Sequence, residues 1–261
     1  MWLIGMPLPT FLRRLKADTH LFNTKARFPT IGLFFSILYM TSPPDTISAL
    51  IQQKMLCIMP VKHPFPPNCY PLISVGERHQ ATTYSNEGRR ATFLSGRLAM
   101  RTLLMSHLNL LPNEVPLITE ASGAPALENQ PDLHVSVTHT LHETAAVFAH
   151  TPVGIDLETI RKRRDDLWKF LLAPSDYEAF HVLALPPTEK NILLWVVKEA
   201  VLKGLKTGFR LSPKKINASI DLQNQVAAVT DHEERTWKVP FTQHGDAWLA
   251  VALLQSKKTG G

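Results

Sequence analysis

The chain has 261 residues, 44% of them hydrophobic, and a formal net charge of +6. Such a composition excludes disorder, leaves room for one large or two small domains with buried cores, and suits an acidic partner. Nucleic acid is not indicated, because no arginine-glycine tract, zinc-ligand spacing or aromatic-basic ribonucleoprotein motif accompanies the charge.

Residues 1 to 54 carry Arg13, Arg14, Lys16, Lys25, Arg27 and Lys54 against only Asp18 and Asp45. That acid-poor bias is shared with targeting peptides, but the arginines do not follow one helical face. Residues 1–59 are therefore expected to be a poorly ordered extension outside the fold, with Met55 and Met59 as later candidate initiators. The run Ile31 to Met40 is the longest apolar stretch and falls short of the ~20 residues a membrane span needs. Cys57 and Cys69 have neither metal-ligand spacing nor a disulfide framework, so a reducing cytoplasm is expected.

Prolines cluster from Met59 to Pro71, where the globular part is expected to begin. Apolar spacing predicts a helix over Arg89–His107, then short strands over Leu133–Val137 and Thr144–Ala149, with Thr138 and His139 in a polar loop. Pro152 precedes a strand, VGIDLE, from Val153 to Glu158. Helices are predicted over Asp166–Leu172 and Ser175–Leu185, the latter capped by Ser175 with Glu178 three residues on. Pro186 and Pro187 close it, and Thr188 caps a long helix that runs to Lys206. Strands at Ala218–Leu222, Val226–Val229, Thr236–Val239 and Trp248–Leu254 complete the chain. The resulting division is 60–152, 153–256 and a tail, 257–261.

Two segments carry the chemistry. In the strand VGIDLE alternate side chains share a face, so Asp156 and Glu158 point one way while Ile155 and Leu157 enter a core. In the helical segment WVVKEAVLK, Glu199 and Lys203 stand four residues apart on one face. Should the helix lie beside the strand end, three carboxylates converge with Lys198 and Lys203. Carboxylates so close need a cation, and the lysines suggest that an anionic ligand shares it; magnesium with a diphosphate fits. Taken singly, each segment reads as an ordinary solvated strand edge or helix face.

Together these segments resemble the signatures of the 4'-phosphopantetheinyl transferases: Gly-Ile/Val-Asp-x-Glu on a strand and Trp/Phe-x-x-Lys-Glu-Ser/Ala-x-x-Lys on a helix. Gly123-Ala124-Pro125 stands where that family has Gly-Lys-Pro, SVTHT (Ser136 to Thr140) where it has Ser-x-Ser/Thr-His, and Pro174 to Tyr177 where it has Ser/Thr-x-Glu. The segment RRATFLSGRLAMRTLL is similar to the first helix of the branch related to the enterobactin-synthase transferase component. The resemblance implies an α+β fold, a pseudo-two-fold arrangement of two similar subdomains, each a helix on a small, mainly antiparallel sheet, in a monomer.

It further implies transfer of the 4'-phosphopantetheine arm of coenzyme A to a serine of an acidic acyl or peptidyl carrier protein, with adenosine 3',5'-bisphosphate released. Asp156, Glu158 and Glu199 are the implied ligands of Mg2+, which Mn2+ could replace. Glu199 and Lys203 are the implied catalytic pair, Glu199 as general base. Arg90, Gly123, Pro125, Thr138, His139, Lys198 and Lys203 are the implied coenzyme A contacts. Ala124 lacks the family lysine, and Arg89, Arg90 or Arg97 are expected to compensate. The basic run Arg161–Arg164 is a candidate patch for a carrier helix, and the alternative activity is a non-catalytic coenzyme A or carrier-binding module. Neither a membrane nor nucleic acid is an expected partner.

Overall fold

A computed structural model describes residues 46–163, 170–173, 176–207 and 210–256. Helix α1 (Ile47–Gln52) is capped by the Thr46 side chain, which accepts from the Ala49 amide. It leads into strand β1 (Leu56–Pro60), which pairs antiparallel with β5 (Glu143–Ala149). The fold therefore begins before the proline cluster and includes residues 46–59. Alternating Leu56 and Ile58 on the core side supplied a strand signal that the neighbouring prolines obscure. Of the presumed extension, residues 1–45 lie outside the described residues.

Helix α2 (Val75–Thr82) opens on a reciprocal capping box between Ser74 and Glu77. The long α3 (Glu87–Leu108) starts at an Asn86 cap and ends at Asn109 in the left-handed conformation, φ 55°. It covers the three-stranded sheet β1-β5-β4, where β4 spans His134–His139. A small antiparallel hairpin, β2 (Leu117–Thr119) and β3 (Pro125–Leu127), follows α3.

The second half is a five-stranded antiparallel sheet in the order β6-β10-β9-β8-β7. Its strands are β6 (Val153–Thr159), β7 (Asn217–Asp221), β8 (Val226–Thr230), β9 (Thr236–His244) and β10 (Ala247–Leu254). Between β6 and β7 come a short α4 (Tyr177–His181) and the long α5 (Pro187–Gly204). Each half is thus one long helix on an antiparallel sheet, the expected α+β plan. Pro187 does not close a helix but begins α5, because its fixed φ suits the first helical turn. Thr188 consequently lies inside the helix, whose cap position is Pro186. The predicted Ser175 cap, and most of the helix predicted over 166–172, lie outside the described residues.

Alternation along β6 and β10 divides the interior. Val153, Ile155 and Leu157, with Leu249, Val251 and Leu253, join Ala145, Val147, Ile47 and Leu50 in one core. The opposite face carries Gly154, Asp156 and Glu158, set in register against Ala252, Ala250 and Trp248. That face lies under α5, whose Val196, Val197, Ala200 and Val201 form a second core with Trp237, Phe241 and Trp248.

Candidate active site

The approach of α5 to β6 decides the site. A Cβ built on Gly154 would lie 1.9 Å from the Ala200 carbonyl oxygen and 2.4 Å from the Gly204 nitrogen. Only glycine lets the helix backbone lie directly on the strand. Gly204 is also tight, since its Cβ would meet the Trp237 ring at 2.7 Å. Ala200 and Gly204 are the chain neighbours of Glu199 and Lys203, so this contact brings those two side chains over the neighbour of Gly154 on the same strand face, Asp156.

Asp156 is buried, and its Oδ1 accepts from Lys203 Nζ at 2.7 Å and from Thr138 Oγ1 at 3.1 Å. The Thr138 hydroxyl in turn accepts from the Leu157 amide, and Ser136 Oγ accepts from the Ile155 amide. These hydroxyls join β4 to β6 across the two sheets. Thr138 and His139 lie in β4, opposite Ala145 and Thr144, and not in a loop. Thr138 is therefore engaged in orienting Asp156 and in securing β6, a different task from the coenzyme A contact implied for it.

At this site two buried oxygens have no hydrogen-bond partner, Asp156 Oδ2 and Glu199 Oε1; the other such carboxylate oxygen among the described residues, Glu77 Oε1, lies 3.8 Å from Arg97 Nε. Glu199 is 8% exposed, and burial, followed by the Asp156 charge, pushes its pKa up to about 7 against the opposing effect of Lys203. Glu158 is half-buried and is also raised, by burial and then by Asp156. Its Oε2 accepts from Arg163 Nη2 at 2.5 Å. Arg163 thus turns inward from the predicted docking run, and Arg164 lies outside the described residues. His139 is exposed at the strand end, where partial desolvation of its ring and then the Lys203 charge lower its pKa.

Lys198 does not join this cluster. Its Nζ donates to Asp176 Oδ2 at 2.5 Å and to the carbonyls of Leu171 and Pro213 at 2.8 and 3.1 Å, with no surface exposed. One residue is about 100° of helix, so Lys198 faces Leu171, Asp176 and Pro213 while Glu199 faces β6. Burial lowers the Lys198 pKa, opposed by Asp176. Its expected place on a substrate phosphate is corrected to that of an internal cation. Arg90 Nη2 donates to the Tyr84 carbonyl, its Nε is buried without a partner, and no contact among the described residues links it to Asp156. Arg97, offered as compensation for Ala124, donates instead to Thr119 Oγ1.

Gly123, with φ 86°, lies in the β2–β3 turn, where the Glu120 amide donates to the Ala124 carbonyl, and Pro125 begins β3 opposite Thr119. This turn reaches α5 through a contact that the sequence reading missed, an ion pair of Glu120 with Lys206. The 86 residues between those partners leave no local signal for it.

Among the described residues no group of three His, Cys, Asp or Glu side chains is gathered closely enough to make a metal cage. Magnesium more often binds through one or two carboxylates and completes its shell with waters and substrate phosphates. Two adjacent buried carboxylates, each with an unpartnered oxygen, are a donor set of that kind.

Residues 152–252 match the 4'-phosphopantetheinyl transferase superfamily model. The matched length holds Gly154, Asp156, Glu158, Glu199 and Lys203. The chain is similar to 4'-phosphopantetheinyl transferase Sfp of Bacillus subtilis (strain 168), 23% identical over 147 residues, 55% of this chain and 64% of the relative. It is also similar to 4'-phosphopantetheinyl transferase HetI of Nostoc sp., 28% identical over 145 residues, 52% of this chain and 60% of the relative. The matches thus span less than two thirds of either relative's length. A solved Helicobacter pylori holo-(acyl-carrier-protein) synthase in complex with coenzyme A overlaps 40% of this chain and 99% of its own, at 20% identity and a TM-score of 0.33.

Proposed function

We propose that the chain is a 4'-phosphopantetheinyl transferase that uses coenzyme A and a carrier-protein serine as substrates. The observation that carries this reading is the pair of unpartnered buried oxygens, Asp156 Oδ2 and Glu199 Oε1, beside the Lys203 ammonium. A buried carboxylate oxygen without a partner is costly, and a divalent cation shared with phosphate would satisfy both oxygens. Asp156 and Glu199 would hold magnesium, with Glu158 as the third ligand once released from Arg163. Bound there, magnesium would supply charge neutralisation of the diphosphate oxygens.

Lys203 then serves a phosphate oxygen as a point charge, sharing its ammonium with Asp156. The carrier serine Oγ forms a bond to the phosphorus next to the pantetheine arm while the bond to the bridging oxygen breaks. Adenosine 3',5'-bisphosphate leaves with the bond electrons. Glu199 accepts the serine proton. Thr138 holds Asp156 in register throughout.

A monomer fits this reading, because both motif segments lie on one chain. The cytoplasm is its natural location: Cys57 and Cys69 are free, and no helix among the described residues is long and apolar enough to cross a membrane. The test is transfer of labelled phosphopantetheine from coenzyme A to added acyl and peptidyl carrier proteins, read by mass. Transfer that stops on chelation and returns with Mg2+ or Mn2+ is the expected outcome. Coenzyme A binding without transfer to any carrier would replace it with a non-catalytic binding module.

A further inference from the structure

Three carboxylates influence one another at the site, and two cations of the chain itself lie against them. Lys203 bonds Asp156 from α5, and Arg163 bonds Glu158 from the chain that follows β6. The two cations are anchored differently. Lys203 is carried by a helix pinned at its next residue, Gly204, against Gly154 and the Trp237 ring. Beyond Thr159 the strand is fastened once more, where the Ile160 amide donates to the Asp246 carbonyl, and Arg161, Lys162 and Arg163 then lie in no helix or strand. Among the described residues Glu158 is the one partner of Arg163, with 29% of each side chain exposed.

Such a pair is suited to exchange. One contact from Nη2 to Oε2 joins it, where a guanidinium and a carboxylate can make two in parallel. A pair that open to water also holds weakly. The partners are five positions apart, so the released guanidinium stays close to Glu158. Glu158 points the same way as Asp156, about 7 Å further along the strand. A divalent ion held by Asp156 and Glu199 therefore meets its third carboxylate already bonded to Arg163.

Resting on the transferase reading above, we propose that Arg163 is the resident counter-ion of the metal site: it holds Glu158 in the metal-free protein and gives it up as a divalent ion binds. Arg163 is thereby a positioning residue, which sets how tightly the ion is taken without touching substrate or the reacting atoms. Lys203 keeps its place on Asp156. The need for a counter-ion is visible at Glu158, where burial and then the Asp156 charge act against the carboxylate form and Arg163, Lys203 and Arg161 favour it. Arg161 acts there through charge alone, since no hydrogen bond joins it to Glu158 among the described residues.

Titration of Mn2+ into the full chain, with and without saturating coenzyme A, tests this, read by loss of the free-ion electron paramagnetic resonance signal. Arg163→Gln should tighten Mn2+ by about threefold to fivefold at low salt, and by less in added salt. Arg161→Gln removes the same charge without breaking a contact, so its gain should be smaller. Arg163→Lys keeps the charge and should bind Mn2+ much as the unaltered chain does, and in a Glu158→Gln background Arg163→Gln should lose most of its effect. A gain from Arg163→Gln no larger than that from Arg161→Gln, or no gain at all, overturns the exchange. Weaker Mn2+ binding overturns it too, by making Arg163 a support of Glu158 and not its competitor. Absence of Mn2+ binding by the unaltered chain overturns the metal site and this inference together, whereas Mn2+ binding without transfer to any carrier overturns the transferase reading and leaves the role of Arg163 to be judged by the same shifts.

Discussion

Helix α5 holds two lysine–aspartate pairs that differ in almost every respect. Lys198 and Asp176 are 0% and 2% exposed, and their polar atoms are fully occupied: three acceptors surround the ammonium, and the carboxylate also accepts from the Ala173 and Ala218 amides. Lys203 and Asp156 lie one and a half turns on, with the ammonium 30% exposed and an oxygen of Asp156 left unpartnered. A saturated pair can only hold structure, here by fastening the chain ahead of α4, and the Pro213 turn, to the helix. An unsaturated pair retains valence for a ligand. Burial alone therefore does not mark the site; two neighbouring carboxylates that each keep an unpartnered oxygen do.

The largest effect should come from the saturated pair. Lys198→Met leaves Asp176 as a buried charge without its cation and should cost about 3–5 kcal/mol of stability in urea unfolding. Lys203→Met should cost about 1 kcal/mol or less while removing most transfer activity, because water screens that ammonium. Equal stability losses in the two variants would erase the distinction.

Glu199→Gln sharpens the comparison from the site's side. Transfer should fall by at least about a hundredfold, with coenzyme A affinity less affected. Stability of the metal-free protein should move the other way. A carboxyl raised from 4.5 to about 7 by folding stabilises fully below pH 4.5, and that contribution disappears as pH rises to 7. Up to about 3 kcal/mol should be lost over this window in the unaltered protein. Glu199→Gln should flatten that stretch of the pH–stability curve; an unchanged slope would mean that Glu199 is solvated.

Gly154→Ala tests the contact that brings the helix to the strand. A methyl group 1.9 Å from the Ala200 carbonyl oxygen has to displace α5, with a loss of about 1–3 kcal/mol and a fall in turnover. Smallest of all should be Ala124→Lys, which adds a cation to the β2–β3 turn. Coenzyme A should tighten by about 0.2–1 kcal/mol, less in added salt, with dephospho-coenzyme A as the control. No gain with either ligand would mean that other groups, His139 the first candidate, already serve that phosphate.

Much of this was legible in the chain. The period-2 alternation of VGIDLE separates Asp156 from Ile155 and Leu157, and the four-residue spacing aligns Glu199 with Lys203; both are local properties of a strand and a helix. Lys198 was misplaced because its charge and its proximity to Glu199 say nothing about which neighbour covers its side of the helix. The same limitation hid the first strand, whose partner lies about ninety residues later.

By itself, then, the sequence determined the order of the strands and the long helix from Val153 onward and the face on which each acidic side chain lies, because backbone geometry acts over a few residues. Only the tertiary structure decided which polar groups find partners. Hydrogen bonds such as Lys198 to Asp176, Thr138 to Asp156 and Lys206 to Glu120 join residues 18 to 86 positions apart. Whether a buried group is saturated or left open depends on the packing of whole sheets and helices, which no local pattern encodes.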